Sequence, residues 1–598
     1  MKNEKETEMK NKTKIKWVLG AATTFLAVAF VYNGYLVLSN PNRMRRVVNF
    51  FGYGVVPASS QTTFNASELG EYGIQAKRGE ILAADGSVLA RSVKRYDVRI
   101  DPKVAGPSKI AFDRDSVDNI CPRLNLTPAE LLDFCTSEKS RYLLVRSDVE
   151  ESVANWFCSD EGRRLAKGFI VEAVQRREYP LGRNAAHVTG CIYRPIAGNV
   201  TVGCNGVEYT CNSILAGKGV DLARDVGREE RERCAKPVHG GSITTTIVPS
   251  IQNTLADILS KAVLSNCAET AWGIVMDART GGIAAMVSLP SYDPASSRDV
   301  KNASSYFFNN AVMGMFEPGG LMKPLTYAMA LDKKVVSCDT EIDHEDGVFE
   351  YYGSKLYDVY SATGVLSVAE AFVKRTEIGA AKIGLMIWED EYPEKLKKFG
   401  FGRKIGNGTM YGEAVGIIRP AKHIDPVTFS RLGLGRGLAV TGLQIANAYA
   451  ALANEGKTVA PHLVEKTVST NGCETLFRGE TSVRVVSESS AKLVASLMKD
   501  AMRAAANEFS VDFSGVEIAG MIAETPIPEK GKYSKTDFNA FAAGFFPVHN
   551  PRWVVAIGFS KPKTECAAGR VALPVFAELV RKCSGGDFLN NQVPSKGE

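Results

Sequence analysis

Between Trp17 and Leu38 the chain runs WVLGAATTFLAVAFVYNGYLVL, without a charge and with Asn33 as its one strongly polar residue. About twenty such residues span a bilayer as a helix. Trp17, Tyr32 and Tyr35 stand near the ends of the run, where interfacial aromatics belong. A cleaved signal peptide fits less well, because the apolar run is too long and Ser39-Asn40-Pro41 is a poor cleavage site. Lys2, Lys5, Lys10, Lys12, Lys14 and Lys16 precede the span, whereas only Arg43, Arg45 and Arg46 follow it closely. That bias predicts a cytoplasmic tail over 1–16, an anchor over 17–38 and the bulk of the chain on the far side of the membrane.

Past the anchor, residues 39–75 are mixed and rich in Ser, Gly and Asn near 57–70, which suits a linker. From about 76 to 235 short β-like runs alternate with Gly turns, predicting a mostly β region. From about 240 to 583 long apolar strands alternate with helical stretches. ITTTIVPSIQNTLADILSKAV begins as a strand and becomes an amphipathic helix, with Ile251, Leu255, Ile258, Leu259 and Val263 at helical spacing. TAWGIVMDARTGGIAAMVSLP reads as two strands about an Arg-Thr-Gly-Gly turn. The last residues, 584–598, are a polar tail.

Composition alters this picture little. At 598 residues, 45% hydrophobic and 23% charged, the chain has the mix of ordinary globular domains and room for several cores. Disordered, collagen-like and small disulfide-scaffold classes are excluded. A net charge of +6 over this length gives no reason to expect a nucleic-acid partner. All twelve cysteines follow the anchor and none forms a C-x-x-C pair, so disulfides become possible while zinc-ribbon and thioredoxin-like motifs do not. Cys566 and Cys583, flanking the last helix-like stretch, are one candidate pair. The six histidines form no metal-spaced cluster, and no Gly-x-Ser-x-Gly elbow is present.

Several short motifs recur in a telling order. Arg78-Gly79-Glu80-Ile81 precedes Asp85-Gly86 and Leu89-Ala90; Tyr179-Pro180, Ala185-Ala186-His187-Val188, Gly190 and Gly206-Val207-Glu208-Tyr209 follow, with Leu215, Gly217 and Gly219 after them. Then come Met276-Asp277, Thr280-Gly281, Ala284-Ala285-Met286, Pro290-Ser291-Tyr292-Asp293-Pro294, Asn310-Ala311 and Glu317-Pro318-Gly319. Later stand Gly433-Leu434-Gly435, Val440-Thr441, Leu443-Gln444, Ala448-Tyr449-Ala450, Ala453-Asn454-Glu455-Gly456, Ala543-Gly544-Phe545-Phe546-Pro547 and Pro551-Arg552. Singly each is weak. Together, over most of residues 76–580, the order resembles that of the class B penicillin-binding proteins, the membrane-anchored peptidoglycan transpeptidases. The length of the segment from 521 to 547 is most similar to the division-type branch. Departures stand at Ala83 and Ala84, where the family usually has Asp and Arg, and at Val248, where it usually has Asp.

The resemblance implies an α/β (α+β) protein: a single N-terminal transmembrane helix, a mostly β pedestal or dimerisation domain over 76–235, and a serine-transpeptidase/β-lactamase-like domain over 240–583 whose antiparallel sheet is flanked by helices. It also implies a serine acyl transfer. In that chemistry a Ser opens a helix and a Lys three residues on accepts its proton from the same helical face. A Ser-x-Asn supplies a proton relay and a substrate-positioning amide. A Lys-Thr/Ser-Gly on an edge strand supplies charge and hydroxyl for the substrate carboxylate, with a Gly for close approach.

This chain departs from all three. After Glu317-Pro318-Gly319 the nucleophile position is Gly320, although the lysine of the motif remains as Lys323. Arg375 and Glu377 stand where Ser and Asn belong, and Met521, Ile522 and Ala523 follow Ile518-Ala519-Gly520 where Lys, Thr and Gly belong. Ser489-x-x-Lys492 has the first motif's spacing on a helical stretch elsewhere, and Lys535-Thr536-Asp537 imitates the third in what reads as a polar loop. Neither is a replacement, and no cysteine lies within the three segments. Lys323 is expected to pair with Glu377, with Arg375 as a second cation nearby.

Three functions compete. The first is a pseudo-transpeptidase acting as a scaffold. The second is an active septal D,D-transpeptidase cross-linking stem peptides. The third is a non-reactive receptor for muropeptides or stem peptides. The resemblance implies the inner membrane, a glycan polymerase and other division proteins as partners, with peptidoglycan peptides as a further ligand, and no cofactor or metal.

Overall fold

The computed structural model describes residues 73–584, apart from 75, 107, 109, 139–141, 194–200, 219, 222–237, 297–305, 359–362, 388–390, 478, 480–481 and 530. The expected anchor over 17–38 lies outside the described residues; among those described, no helix is long and apolar enough to cross a membrane.

The N-terminal region is built on a long strand. β1 (Ile81–Leu82) turns into β2 (Val88–Ile100), which pairs with β3 (Leu143–Val149) and, over ten residues from Arg91↔Glu178 to Ile100↔Phe169, with β4 (Phe169–Glu178). Three helices of at least eight residues lie among these strands: α1 (Arg114–Leu124), α2 (Pro128–Thr136) and α3 (Glu151–Cys158). The region is therefore mixed rather than mostly β. Capping explains where two of these helices start: Asp113 accepts from Ser116 N, and Thr127 and Glu130 form a reciprocal capping box ahead of Pro128. Ile120, Leu124, Leu131 and Phe157 pack with Val98 and Ile100 into a core of their own.

The same sheet continues into the C-terminal half. β1 pairs in parallel with β5 (Ser242–Thr245), with Ile81 opposite Ile243. The chain then forms α4 (Pro249–Asn266) and the hairpin β6 (Thr270–Asp277) and β7 (Ile283–Leu289). A helical section follows: α5 (Lys323–Asp332), α6 (Val368–Val373), α7 (Glu377–Leu385), α8 (Pro426–Leu432) and α9 (Gly442–Ala453). β8 (Val464–Val468) and β9 (Glu474–Leu476) return to the first sheet beside β5. α10 (Glu488–Phe509), β10 (Ala519–Glu529), β11 (Lys532–Phe546), β12 (Trp553–Ser560) and α11 (Ala568–Ser584) complete the chain.

Five strands form the second sheet in the order β7-β6-β12-β11-β10, antiparallel throughout. Apolar faces of α4 and α11, including Leu255, Leu259, Val571 and Phe576, pack with Val275, Ala542 and Ile557. The helical section packs on the opposite face, where Leu325, Leu443 and Tyr449 join Ile274, Phe541 and Ala543. β10 is an edge strand, and alternation divides its side chains: Met521 and Ala523 enter the helical-side core and Ile522 the other.

The eleven described cysteines are all free thiols, which corrects the proposed Cys566–Cys583 pairing. Cys566 precedes α11 and Cys583 lies in its last turn. A helix of that length separates them by about 22 Å, whereas a disulfide needs Cα atoms within about 7 Å.

Candidate functional site

The loop Glu317–Gly319 feeds a 3-10 turn, Gly319–Met322, on which α5 begins at Lys323. The expected helix thus opens as a 3-10 turn, in which residues three apart lie over one another. Gly320 and Lys323 share a side in that way. Motifs remote in sequence hold the turn in place. Gly319 N donates to Gly435 O at 3.1 Å, the Tyr449 hydroxyl donates to Leu321 O at 2.9 Å, and Gly437 N donates to the Glu317 carboxylate at 2.9 Å. Gly319 has φ +53°, and a Cβ there would meet Thr525 Cγ2 at 2.2 Å, so only glycine fits. Gly320 is different. Its would-be Cβ lies 3.3 Å from Ile522 O and 3.4 Å from Ala523 Cβ, a tight but accommodating space in ordinary backbone.

The Lys323 side chain is 3% exposed, and its Nζ lies 2.9 Å from Glu377 Oε1. It also donates to the Arg375 carbonyl at 2.5 Å. The expected pair therefore forms. The second cation on Glu377 is Arg436, at 3.5 Å, and not Arg375. Arg375 has φ +57°, a strained conformation for a bulky residue, and its guanidinium turns away to pair with Glu508 on α10. Burial pushes the Glu377 carboxyl up, but the charges of Lys323 and Arg436, the Lys323 hydrogen bond and the charge of Arg431 outweigh it and hold the group below the usual glutamate range.

Thr376, between Arg375 and Glu377, is fully buried and bonds His344 Nε2 at 3.0 Å, while His344 Nδ1 bonds Ile342 O at 2.9 Å. Across the pocket, Met521, Ile522 and Ala523 lie on edge strand β10 and are 2%, 5% and 6% exposed. They bring no cation or hydroxyl to the turn beside them. The hairpin of β10 and β11 carries Tyr533, whose hydroxyl donates to Glu317 at 2.9 Å. Burial and the Glu317 carboxylate push that phenol up to about 12.

The two look-alike motifs lie elsewhere. Ser489 and Lys492 are on the exposed face of α10, where Lys492 pairs with Glu488 and Glu455. Lys535-Thr536-Asp537 is in β11 and not in a loop; Asp537 pairs there with Lys561 and Lys563. Sequence reasoning missed Arg436, Glu508, His344 and Tyr533 as parts of this pocket, and gave Glu317 no role beyond its place in the motif before Gly320. Gly435 and Gly437 flanking Arg436 were a usable signal; Glu508, His344 and Tyr533 come from segments whose approach is visible only in the fold.

The scaffold motifs also converge. Arg78 Nε lies 2.5 Å from one Glu208 oxygen and Arg177 Nε 2.8 Å from the other, all three side chains being buried. Tyr292 donates to Ala186 O at 2.7 Å and accepts from Asn205 at 2.7 Å, tying the two halves of the chain together.

Residues 272–581 match the penicillin-binding protein transpeptidase domain, and residues 73–241 match the penicillin-binding protein dimerisation domain. Penicillin-binding protein PbpB of Mycobacterium tuberculosis is 27% identical over 544 residues, covering 84% of this chain and 77% of that protein. The peptidoglycan D,D-transpeptidase FtsI of Buchnera aphidicola is 27% identical over 414 residues, covering 68% and 69%. Among solved structures, penicillin-binding protein 2X of Streptococcus thermophilus superposes with a TM-score of 0.73 at 19% identity, covering 87% of this chain and 81% of that one. Penicillin-binding protein 3 of Mycobacterium tuberculosis, solved with aztreonam, gives 0.64 at 23% identity, covering 85% and 96%. These two likenesses are of fold. With a transpeptidase domain filling half of the chain and a dimerisation domain ahead of it, the chain belongs to the penicillin-binding proteins.

Proposed function

We propose that this chain works in peptidoglycan synthesis and cell division as a pseudo-transpeptidase, a scaffold that keeps the family's fold and has given up its acyl transfer. Gly320 carries the reading. It stands at the nucleophile position three residues before Lys323, and a glycine offers no oxygen to form an acyl ester. Lys323, at the general-base position, is engaged by Glu377 and the Arg375 carbonyl. Arg375 and Glu377 take the second-motif positions, and Met521, Ile522 and Ala523 the third. No charge-assisted hydrogen bond to a substrate carboxylate can come from a methionine. Membrane anchorage through 17–38, a cytoplasmic N-terminus and partners such as a glycan polymerase and other division proteins complete the proposal.

The relatives named as D,D-transpeptidases support the alternative of an active enzyme, but that reading needs a nucleophile this pocket lacks. A non-reactive peptide receptor needs an open cleft, and the burial of Leu321, Met322 and Met521 counts against one. The test is exposure of the purified chain to a fluorescent β-lactam, followed by intact mass measurement. The proposal expects no adduct at saturating ligand. A stoichiometric covalent adduct would overturn it.

A further inference from the structure

Strands Ile192–Tyr193 and Val202–Gly203 pair antiparallel, with Ile192 opposite Gly203. The next step of that register sets Cys191 directly across from Cys204, and Cys204 N donates to Cys191 O at 2.8 Å. Opposite residues of an antiparallel pair have Cα atoms about 4.5–5.5 Å apart, within the range a disulfide spans. Both side chains belong to one small apolar cluster with Ala186, Tyr292 and Phe307. Neither thiol has a part in the pocket around Lys323.

We propose that Cys191 and Cys204 are a disulfide-forming pair that covalently closes this hairpin at the seam between the two halves of the chain. The seam is immediately adjacent. Asn205 accepts from Cys191 N at 3.0 Å and donates to the Tyr292 hydroxyl at 2.7 Å. A covalent link between the residues on either side of the hairpin fixes the strand end that presents Asn205 to Tyr292.

The neighbouring Cys204 side chain raises the Cys191 thiol, with burial adding to it, and the Cys191 side chain lowers the Cys204 thiol against the opposing effect of burial. Cys204 is also the more exposed of the two. The order of steps follows. The Cys204 thiolate attacks one sulfur of an external disulfide, forming a mixed disulfide and expelling one thiolate of the oxidant. Cys191 then loses its proton and attacks the Cys204 sulfur, expelling the second thiolate. The chain gives up two electrons and two protons, and the oxidant, a small-molecule or protein disulfide, leaves as two thiols. Cys211, buried nearby and hydrogen-bonded to Thr210, takes no part.

The experiment equilibrates the purified full chain with glutathione disulfide and glutathione. It then alkylates the thiols in denaturant and maps non-reduced peptides by mass spectrometry. The expected result is a Cys191 peptide joined to a Cys204 peptide, about 2 Da lighter than the two thiol peptides together, and separated by reduction. Cys211 should carry the alkyl label. The melting midpoint of the wild type should fall on reduction, and that of Cys204→Ser should not respond. Separate alkylation of Cys191 and Cys204 under oxidising conditions, or linkage of either to another cysteine, would overturn the proposal. So would a linked pair whose reduction leaves the midpoint unchanged, since the link would then not brace the seam. The outcome is independent of whether the Lys323 pocket reacts with a β-lactam.

Discussion

Replacing Glu377 by glutamine removes the carboxylate from the centre of the pocket while keeping its shape. Lys323 then remains 3% exposed, with the Arg375 carbonyl as its remaining observed partner. At 2.9 Å the pair's Coulomb attraction is about 6 kcal/mol for an effective dielectric near 20. Much of that is offset by desolvation, but breaking a buried pair strands the surviving charge, and the net loss is about 3–5 kcal/mol. A loss of that size lowers a melting midpoint by about 10 °C. Lys323→Met costs less, because Glu377 keeps Arg436 at 3.5 Å. The double substitution should be milder than the sum of the two, with a coupling of about 2 kcal/mol. The pH dependence adds a second readout. A carboxyl held below its ordinary value contributes stability that is fully present above the unfolded-state value, about 4.3, and is lost as pH falls through the lower folded value. Glu377→Gln should therefore flatten the acid limb of the stability curve. Chemical denaturation from pH 3 to pH 7 measures both effects. A midpoint at pH 7 within experimental error of the wild type, or an unchanged acid limb, would refute the argument that this ion pair fills the pocket.

Gly320→Ser should fold, since its Cβ meets nothing closer than 3.3 Å, yet still give no β-lactam adduct while Lys323 stays paired; labelling of this single variant would show that the nucleophile alone was missing. Gly319→Ala, one residue earlier, should destabilise the domain markedly, because its Cβ would lie 2.2 Å from Thr525 Cγ2 at φ +53°; equal melting midpoints for the two variants would contradict the geometry. Glu208→Ala strands the Arg78 and Arg177 charges in a buried site and should cost about 3–5 kcal/mol, visible as loss of soluble protein or a lowered denaturant midpoint. His187 is pushed down to about 4 by burial, against the hydrogen bond to Tyr306 O, so its contribution is complete above about pH 6.5 and is lost as pH falls toward 4; His187→Gln should remove up to about 3 kcal/mol of that pH dependence, and an unchanged slope would refute it.

Much of the pocket is legible in the sequence. The order of motifs located Gly320, Lys323, Arg375, Glu377 and Met521–Ala523 because each sits beside a scaffold motif that can be aligned by eye. Gly319 and Gly435, for example, are required by a backbone approach of one loop on another, and that requirement leaves a residue-type signature in the chain. The helices α1, α2 and α3 were less legible. Their signals were caps such as Asp113 and Thr127 set within a region of β-like runs, and their apolar faces are short. Cys566 and Cys583 were misjudged because closeness along the chain is not closeness in space when a rigid helix lies between.

What the sequence alone determined is the absence of atoms: a glycine at 320 and a methionine at 521 remove a hydroxyl and a cation wherever the chain folds. What the tertiary structure decided is where the remaining charges go. From the sequence, Arg375, and not Arg436, is the expected second cation beside Glu377. In the fold, the left-handed backbone at Arg375 aims its carbonyl at Lys323 and its guanidinium at Glu508, and the loop after Gly435 brings Arg436 to Glu377 instead. Likewise Cys191 finds Cys204 only through the register of a two-residue ladder. Composition and local motifs record which groups exist; the direction a side chain takes depends on packing between segments far apart in the chain, which no local pattern carries.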